Sequence, residues 1–186
     1  MVKHSICVFC GASFGNDPRF GEAARAVGAG LAAMGCNLVF GGGNPGLMGV
    51  VAKAAQEGGA QVQGISPAFL QALENAAPIS AEEKLIVVPH LQERKALMLQ
   101  MSDAFIVLPG GLGTFDEFFE VATEAQLGVH AKPIIVVNVD GYFNGLDAIL
   151  HATIAAGFAQ EMVLKLYYLA DGPEAALQML DGKLKP

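Results

Sequence analysis

Charge is scarce in this chain. Asp, Glu, Lys and Arg make up 16% of its 186 residues, and only three arginines occur: Arg19, Arg25 and Arg94. Average usage is about 25% charged. With a net charge of −7 and no basic stripe, the chain lacks the electrostatic footprint of a nucleic-acid binder. A local pocket can still oppose the global sign and hold an anionic small molecule. Tryptophan is absent, and the four histidines, His4, His90, His130 and His151, show no metal spacing such as H-E-x-x-H. Long apolar runs are missing too. No stretch approaches the roughly 18 residues of a membrane helix. The five apolar residues in a row near the N-terminus fall short of the about 7–15 of a signal-peptide core. The expectation is a soluble cytoplasmic protein whose three cysteines are reduced. Cys7 and Cys10 form a C-x-x-C, but their odd spacing on a strand sends the side chains to opposite faces. With no second pair, neither a zinc site nor a redox dithiol is expected, and no metal.

Apolar residues, in contrast, reach 53% against an average of about 45–50%. A monomer would struggle to hide so much apolar surface, and an oligomer would bury part of it between subunits. The length predicts one domain over residues 1–186, large enough to bury a core without staples.

The chain alternates between short β-branched runs and Ala-rich segments of helical length. Strands are predicted near Ser5–Cys10, Asn37–Phe40, Ala60–Ile65, Lys84–Val88, Ala104–Leu108, Pro133–Val137 and Leu164–Leu169. Their almost purely apolar composition suits strands covered on both faces, as in a parallel sheet. Helices are predicted near Pro18–Met34, Gly46–Glu57, Pro67–Leu73, Leu91–Met101, Thr114–Leu127, Tyr142–Ala156 and Pro173–Leu180. Asn75–Glu83 is the one stretch that reads as a mobile loop. The alternation argues for a single-domain, doubly wound α/β fold of Rossmann type with a mainly parallel sheet.

Ligands in such sheets bind beyond the carboxyl ends of the strands. Three predicted strand ends carry glycine clusters: Gly11–Gly15, Gly41–Gly46 and Pro109–Thr114. Parallel strands bring all three to one edge, so one shared pocket is expected. In Pro109-Gly-Gly-Leu-Gly-Thr114 a strand runs straight into a helix start. Gly110, Gly111 and Gly113 let the backbone approach a ligand, and the helix start offers unpaired N–H groups, which suits a phosphate. The alternative is a tight turn and nothing more. Gly41–Gly46 matches G-x-G-x-x-G, but the expected acidic residue about 20 positions later is missing, since the chain reads Gly64-Ile-Ser-Pro67 there. That counts against a nicotinamide dinucleotide.

Over Thr114–Leu127, Phe115, Phe118, Phe119 and Ala122 fall at i, i+3, i+4, i+7 and are expected to form the core face. Asp116, Glu117, Glu120 and Glu124 are expected on the other side, with Thr123 at its border. Thr114-x-x-Glu117 also reads as a capping box. Spacing alone leaves Glu117 open between a helix cap and a catalytic carboxylate. Glu93-Arg94-Lys95 supplies cations at the same predicted sheet edge, or else a surface pair of little energetic weight.

Taken together, these residues resemble the Lonely Guy (LOG) family of cytokinin riboside 5′-monophosphate phosphoribohydrolases, whose bacterial members were often labelled possible lysine decarboxylases. The family signature P-G-G-x-G-T-x-x-E stands here as Pro109–Glu117, and the upstream Arg–Lys pair as Arg94-Lys95. The likeness extends to Gly41–Gly49, Ala125–Gly128 and Asn138–Tyr142. It implies a Rossmann-like homodimer that hydrolyses a purine riboside monophosphate, of AMP or cytokinin type, to free base and ribose 5-phosphate without a cofactor. Arg94 and Glu117 would be the catalytic pair. Lys95, Gly110, Gly111, Gly113, Thr114 and Thr123 would line the substrate. Two departures stand out: Glu124 where relatives often carry Trp, and Leu91-Gln-Glu93 where they often have Met-His before the arginine. The decarboxylase label has little physical support, because nothing marks a Schiff-base lysine. Two rivals remain beside the hydrolase: a non-catalytic nucleotide-binding protein of the same fold, and a nicotinamide-dependent oxidoreductase.

Overall fold

The β-branched runs pair into one seven-stranded sheet. In chain order its strands are β1 (Ser5–Phe9), β2 (Asn37–Phe40), β3 (Val62–Pro67), β4 (Lys84–Val88), β5 (Ala104–Val107), β6 (Ile134–Val137) and β7 (Tyr168–Ala170). Among the described residues, six helices of three turns or so, or longer, accompany them: α1 (Pro18–Ala33), α2 (Gly46–Glu57), α3 (Leu91–Gln100), α4 (Leu112–Gln126), α5 (Asn144–Ala155) and α6 (Pro173–Leu184). The computed structural model describes residues 3–70 and 84–184. The predicted helix Pro67–Leu73 begins at 68–70 and then leaves the described residues, and the predicted loop Asn75–Glu83 lies outside them.

Every pairing in the sheet is parallel, in the order β4-β3-β2-β1-β5-β6-β7. The chain winds outward from β1 to β4, then returns to the centre, where β5 lies against β1 with Ile6 opposite Ala104 and Phe9 opposite Val107. The loops leaving β1 and β5 therefore part in opposite directions, which opens a crevice at their carboxyl ends.

Period-two alternation sorts the strand side chains into two layers. Ile6, Val8, Leu38, Phe40, Ile106 and Ile135 face α1, α2 and α6. Cys7, Phe9, Val39, Phe105, Val107 and Val136 face α3, α4 and α5. Burial on both sides is what makes these strands read as continuous apolar runs. Cys7 and Cys10 fall in different layers, both as free thiols, as their spacing requires. Burial pushes both thiols up, so neither supplies a thiolate.

Sequence and structure differ most at the last strand. It covers Tyr168–Ala170 rather than Leu164–Leu169, and Glu161–Lys165 form a 3-10 turn. The run Met162-Val-Leu carries the apolar signal of a strand, yet only Val163 of it is buried. An edge strand needs few residues, and short hydrophobic runs do not distinguish strand from turn by composition alone. Among the described residues, no helix is long and apolar enough to cross a membrane.

Candidate active site

The crevice is closed at its base by a clasp between two loops. Gly11 N–H, after β1, donates to Pro109 O, after β5, at 3.0 Å. The same loop occupies the start of α2, since Leu47 N–H donates to Gly11 O at 3.0 Å. That helix start therefore braces the loop after β1. The start of α4 differs. Its N-cap is Gly111, which has no side chain to cap with, and its first bond runs from Phe115 N–H to Gly111 O at 3.2 Å. The amide groups ahead of it open onto a cleft of about 440 Å³ whose lining includes Ser13, Met48, Arg94, Gly111, Thr114 and Glu117. Gly11, Gly41 and Gly113 line it as well, so the three glycine clusters do share one pocket.

An ion pair lies in this cleft. Arg94 Nη2 sits 3.1 Å from Glu117 Oε1, and both side chains are largely withdrawn from water. Arg94 is anchored again through Nε, which donates to Ile65 O at 3.2 Å at the end of β3. The space for the guanidinium comes from Gly41: a Cβ there would collide with Arg94 Nη2. Burial raises the Glu117 carboxyl from its ordinary 4.5 to about 7; Arg94 and Lys95 pull it down, and Asp116 pushes it up. Glu117 is thus a carboxyl poised near neutrality, held by a cation, one turn from an uncapped helix start.

The α4 wheel is rotated from its predicted phase. The buried stripe is Thr114, Glu117, Phe118, Val121 and Ala122, while Phe119 is exposed. Glu117 therefore does not sit on the outer face with Asp116 and Glu120. Phenylalanine spacing favours Phe119 for the core, whereas packing selects Val121. The stripe 118, 121, 122 extends back by i−4 steps to 114 and 117, and polar residues at its upper end are the signal that marks the cleft. The capping box does not form either. The helix starts two residues before Thr114, so Thr114 and Glu117 lie inside it and the N-cap is Gly111.

The other expected site residues separate into three groups. Gly111, Gly113 and Thr114 line the cleft with Arg94 and Glu117. Gly110 lies beneath them, where a Cβ would meet Thr114 Oγ1 and Gly11 N. Lys95 points away: its Nζ bonds Asp116 and Glu120 on the outer side of α4, at 3.0 Å from a carboxylate oxygen of each. Burial disfavours its charge, but the bonds to Glu120 and Asp116 outweigh that and leave its pKa raised. Thr123 lies outside the cleft, exposed beside Asp116, Phe119, Glu120 and Glu124. Nine residues of helix put it about 14 Å along the axis from Thr114 and two and a half turns round, on the opposite face. His90 is exposed at the N-cap of α3 without a side-chain capping bond. Ser13 and Met48 line the cleft and were not singled out, because a serine in a glycine-rich loop and a methionine in a helix carry no spacing signal of their own.

Comparison with known proteins agrees with this geometry. A family profile described as "Possible lysine decarboxylase" matches residues 48–180. Cytokinin riboside 5′-monophosphate phosphoribohydrolase LOG7 of Arabidopsis thaliana is 41% identical over 176 residues, covering 95% of this chain and 80% of its own length. LOG1 of the same plant is 44% identical over 153 residues, covering 82% of this chain and 71% of its own. The chain belongs to the LOG family. Among solved structures, the molybdenum cofactor binding protein of Rippkaea orientalis aligns over the whole of this chain with a TM-score of 0.75 at 22% identity. The molybdenum cofactor carrier protein of Chlamydomonas reinhardtii aligns with a TM-score of 0.71 at 21% identity over 98% of it. Those likenesses show a shared fold. Membership of the LOG family rests on the sequence relatives.

Proposed function

We propose that this LOG-family chain hydrolyses the N-glycosidic bond of a purine nucleoside 5′-monophosphate, giving free base and ribose 5-phosphate. The observation that carries the reading is the buried Arg94–Glu117 pair facing the same cleft as the uncapped start of α4. In this reading the amide groups at Gly111–Thr114 hold the phosphate. The ribose then lies over Glu117, one turn further along the helix.

Bond cleavage builds oxocarbenium character on the sugar. The C1′–N bond breaks, its electron pair leaves with the base, which takes up a proton from solvent, and a water oxygen bonds to C1′. Glu117 in its ionised form stabilises the cation and accepts the proton of the attacking water. Arg94 holds that carboxylate in place and favours its charged form. Lys95 acts from outside the cleft by tying α3 to α4 through Asp116 and Glu120. No step calls for a metal or a cofactor.

Adenine and N6-substituted adenine monophosphates are the proposed substrate class, and the active form is a homodimer. A panel of nucleoside 5′-monophosphates assayed for free base and ribose 5-phosphate tests the reaction. Release of both products in equal amounts is expected. Saturable nucleotide binding without base release from any member of the panel would replace the hydrolase with a nucleotide-binding protein.

A further inference from the structure

The Asn138–Tyr142 segment joins β6 to α5 and takes no part in the chemistry just described, yet it reaches the phosphate loop. Asn138 fixes the turn, with its Oδ1 accepting from Phe143 N–H at 2.7 Å and its Nδ2 donating to Asn144 Oδ1 at 2.9 Å. Asp140 adopts a left-handed conformation, φ 51°, and its carboxylate pairs with Arg19 at 2.6 Å. Arg19 in turn is held by Asp17, the N-cap of α1. Tyr142 is therefore positioned from two sides. Its ring packs edge-on against Phe20 and Phe143, with centroids 5.5 Å and 4.9 Å away. Its hydroxyl donates to Gly110 O at 2.5 Å.

That carbonyl belongs to the peptide unit whose N–H is that of Gly111. The peptide is trans, so its C=O and N–H point in opposite directions. Holding the oxygen on the Tyr142 side aims the Gly111 N–H away from it. The neighbouring peptide is fixed as well, because Pro109 O accepts from Gly11 N–H. Two successive carbonyls of the loop are thus pinned, one by the chain after β1 and one by the chain after β6. A donor to the carbonyl also polarises the peptide and strengthens its N–H as a donor to an anion. Glycines at 110 and 111 leave this peptide free to rotate unless something outside the loop holds it.

We propose that Tyr142 is a positioning residue for the substrate phosphate, acting through the Gly110–Gly111 peptide rather than by touching the substrate. This rests on the hydrolase reading above and adds the means by which the loop is set before the ligand arrives.

Tyr142→Phe keeps the ring packing and removes only the hydroxyl. KM for AMP should rise about fivefold, the scale of one neutral hydrogen bond. The inhibition constants of ribose 5-phosphate and of inorganic phosphate should rise with it. The kcat/KM for adenosine, which has no phosphate, should stay at its wild-type value. A merely structural role would lower both substrates together and reduce the melting temperature. A second measurement needs no turnover: inorganic phosphate titrated into 15N-labelled protein should shift the Gly111 amide at higher concentration in the variant. Should wild-type protein fail to cleave AMP, the hydrolase reading itself falls. Should wild type cleave AMP while the variant keeps its KM, its inhibition constants and its Gly111 titration, the role of Tyr142 is overturned.

Discussion

Glu117 carries two opposing consequences of one burial. A carboxyl raised from 4.5 to about 7 binds a proton in the folded chain that the unfolded chain has already lost. The folded state therefore loses stability as pH rises from about 4.5 to about 7. Below that window the cost is absent, and above it the cost is complete, at about 3 kcal/mol. Glu117→Gln removes the ionisation and keeps the volume. Thermal denaturation at pH 8 should show the variant more stable than wild type, and at pH 4 the two should converge. Turnover should move the other way, with kcat falling roughly 10²-fold or more. Wild-type kcat should rise with pH through about 7, as the carboxylate forms, and that limb should vanish in the variant. A variant that is active and less stable at pH 8 would return Glu117 to a structural role.

At this scale the residues alone place cations and a carboxylate at one sheet edge, and the choice of Arg94 and Glu117 as a pair comes from the family resemblance. What was not legible was which of two adjacent cations faces inward. Arg94 and Lys95 are neighbours on α3, and successive helical residues diverge by about 100°. Only the packing of α3 against β3 and α4 decides that the guanidinium enters the cleft while the ammonium bridges two outer carboxylates.

Among the elements, α4 does most to define the site, and its first turn lies two residues earlier than the sequence predicts, without the expected capping box. The glycine run before it points to an anion site, and the structure adds a helix start without a capping side chain. Its register was misread because three phenylalanines within five residues blur the phase of an amphipathic helix. Tertiary packing sets that phase, and it leaves Phe119 outside. The open helix start leads to a direct expectation. AMP should exceed adenosine in kcat/KM by roughly 10²-fold or more, since remote phosphate binding positions the sugar for reaction. Steady-state kinetics with both substrates measure this, and equal values would remove the phosphate from the α4 start. The loop after β2 adds a second expectation. Gly41 has an ordinary φ, so alanine is accepted by the backbone, but its Cβ falls on the Arg94 guanidinium. Gly41→Ala should lower kcat/KM for AMP by roughly 10²-fold, the scale of a displacement near 1 Å at a reacting centre. Circular dichroism should show the fold retained. Wild-type kinetics in this variant would mean that Arg94 does not need its present place.

For the molecule as a whole, parallel order, two-layer burial and a crevice at the centre were all readable, because apolar runs bounded by glycine turns admit few other folds. The proposed homodimer rests in the sequence on a surplus of apolar residues, and part of that surplus is exposed on one region of the surface. Phe158 is 89% exposed, and it borders one groove with Phe119, Thr123 and Leu150 and another with Gln126 and Met162. Leu127 and Val129 follow on the same end of α4, at 73% and 64% exposure. An uncharged patch of this kind is costly to leave in water, and burying it against a second copy is the role we assign to it. Light scattering at micromolar concentration should therefore give about twice the 19.3 kDa chain mass. Phe158→Asp places a charge in the patch without touching either core layer or the cleft. The variant should sediment as a folded monomer with a melting temperature that no longer depends on protein concentration. A dimer that survives this substitution intact would move the contact elsewhere on the surface, and a monomeric wild type would remove the homodimer altogether.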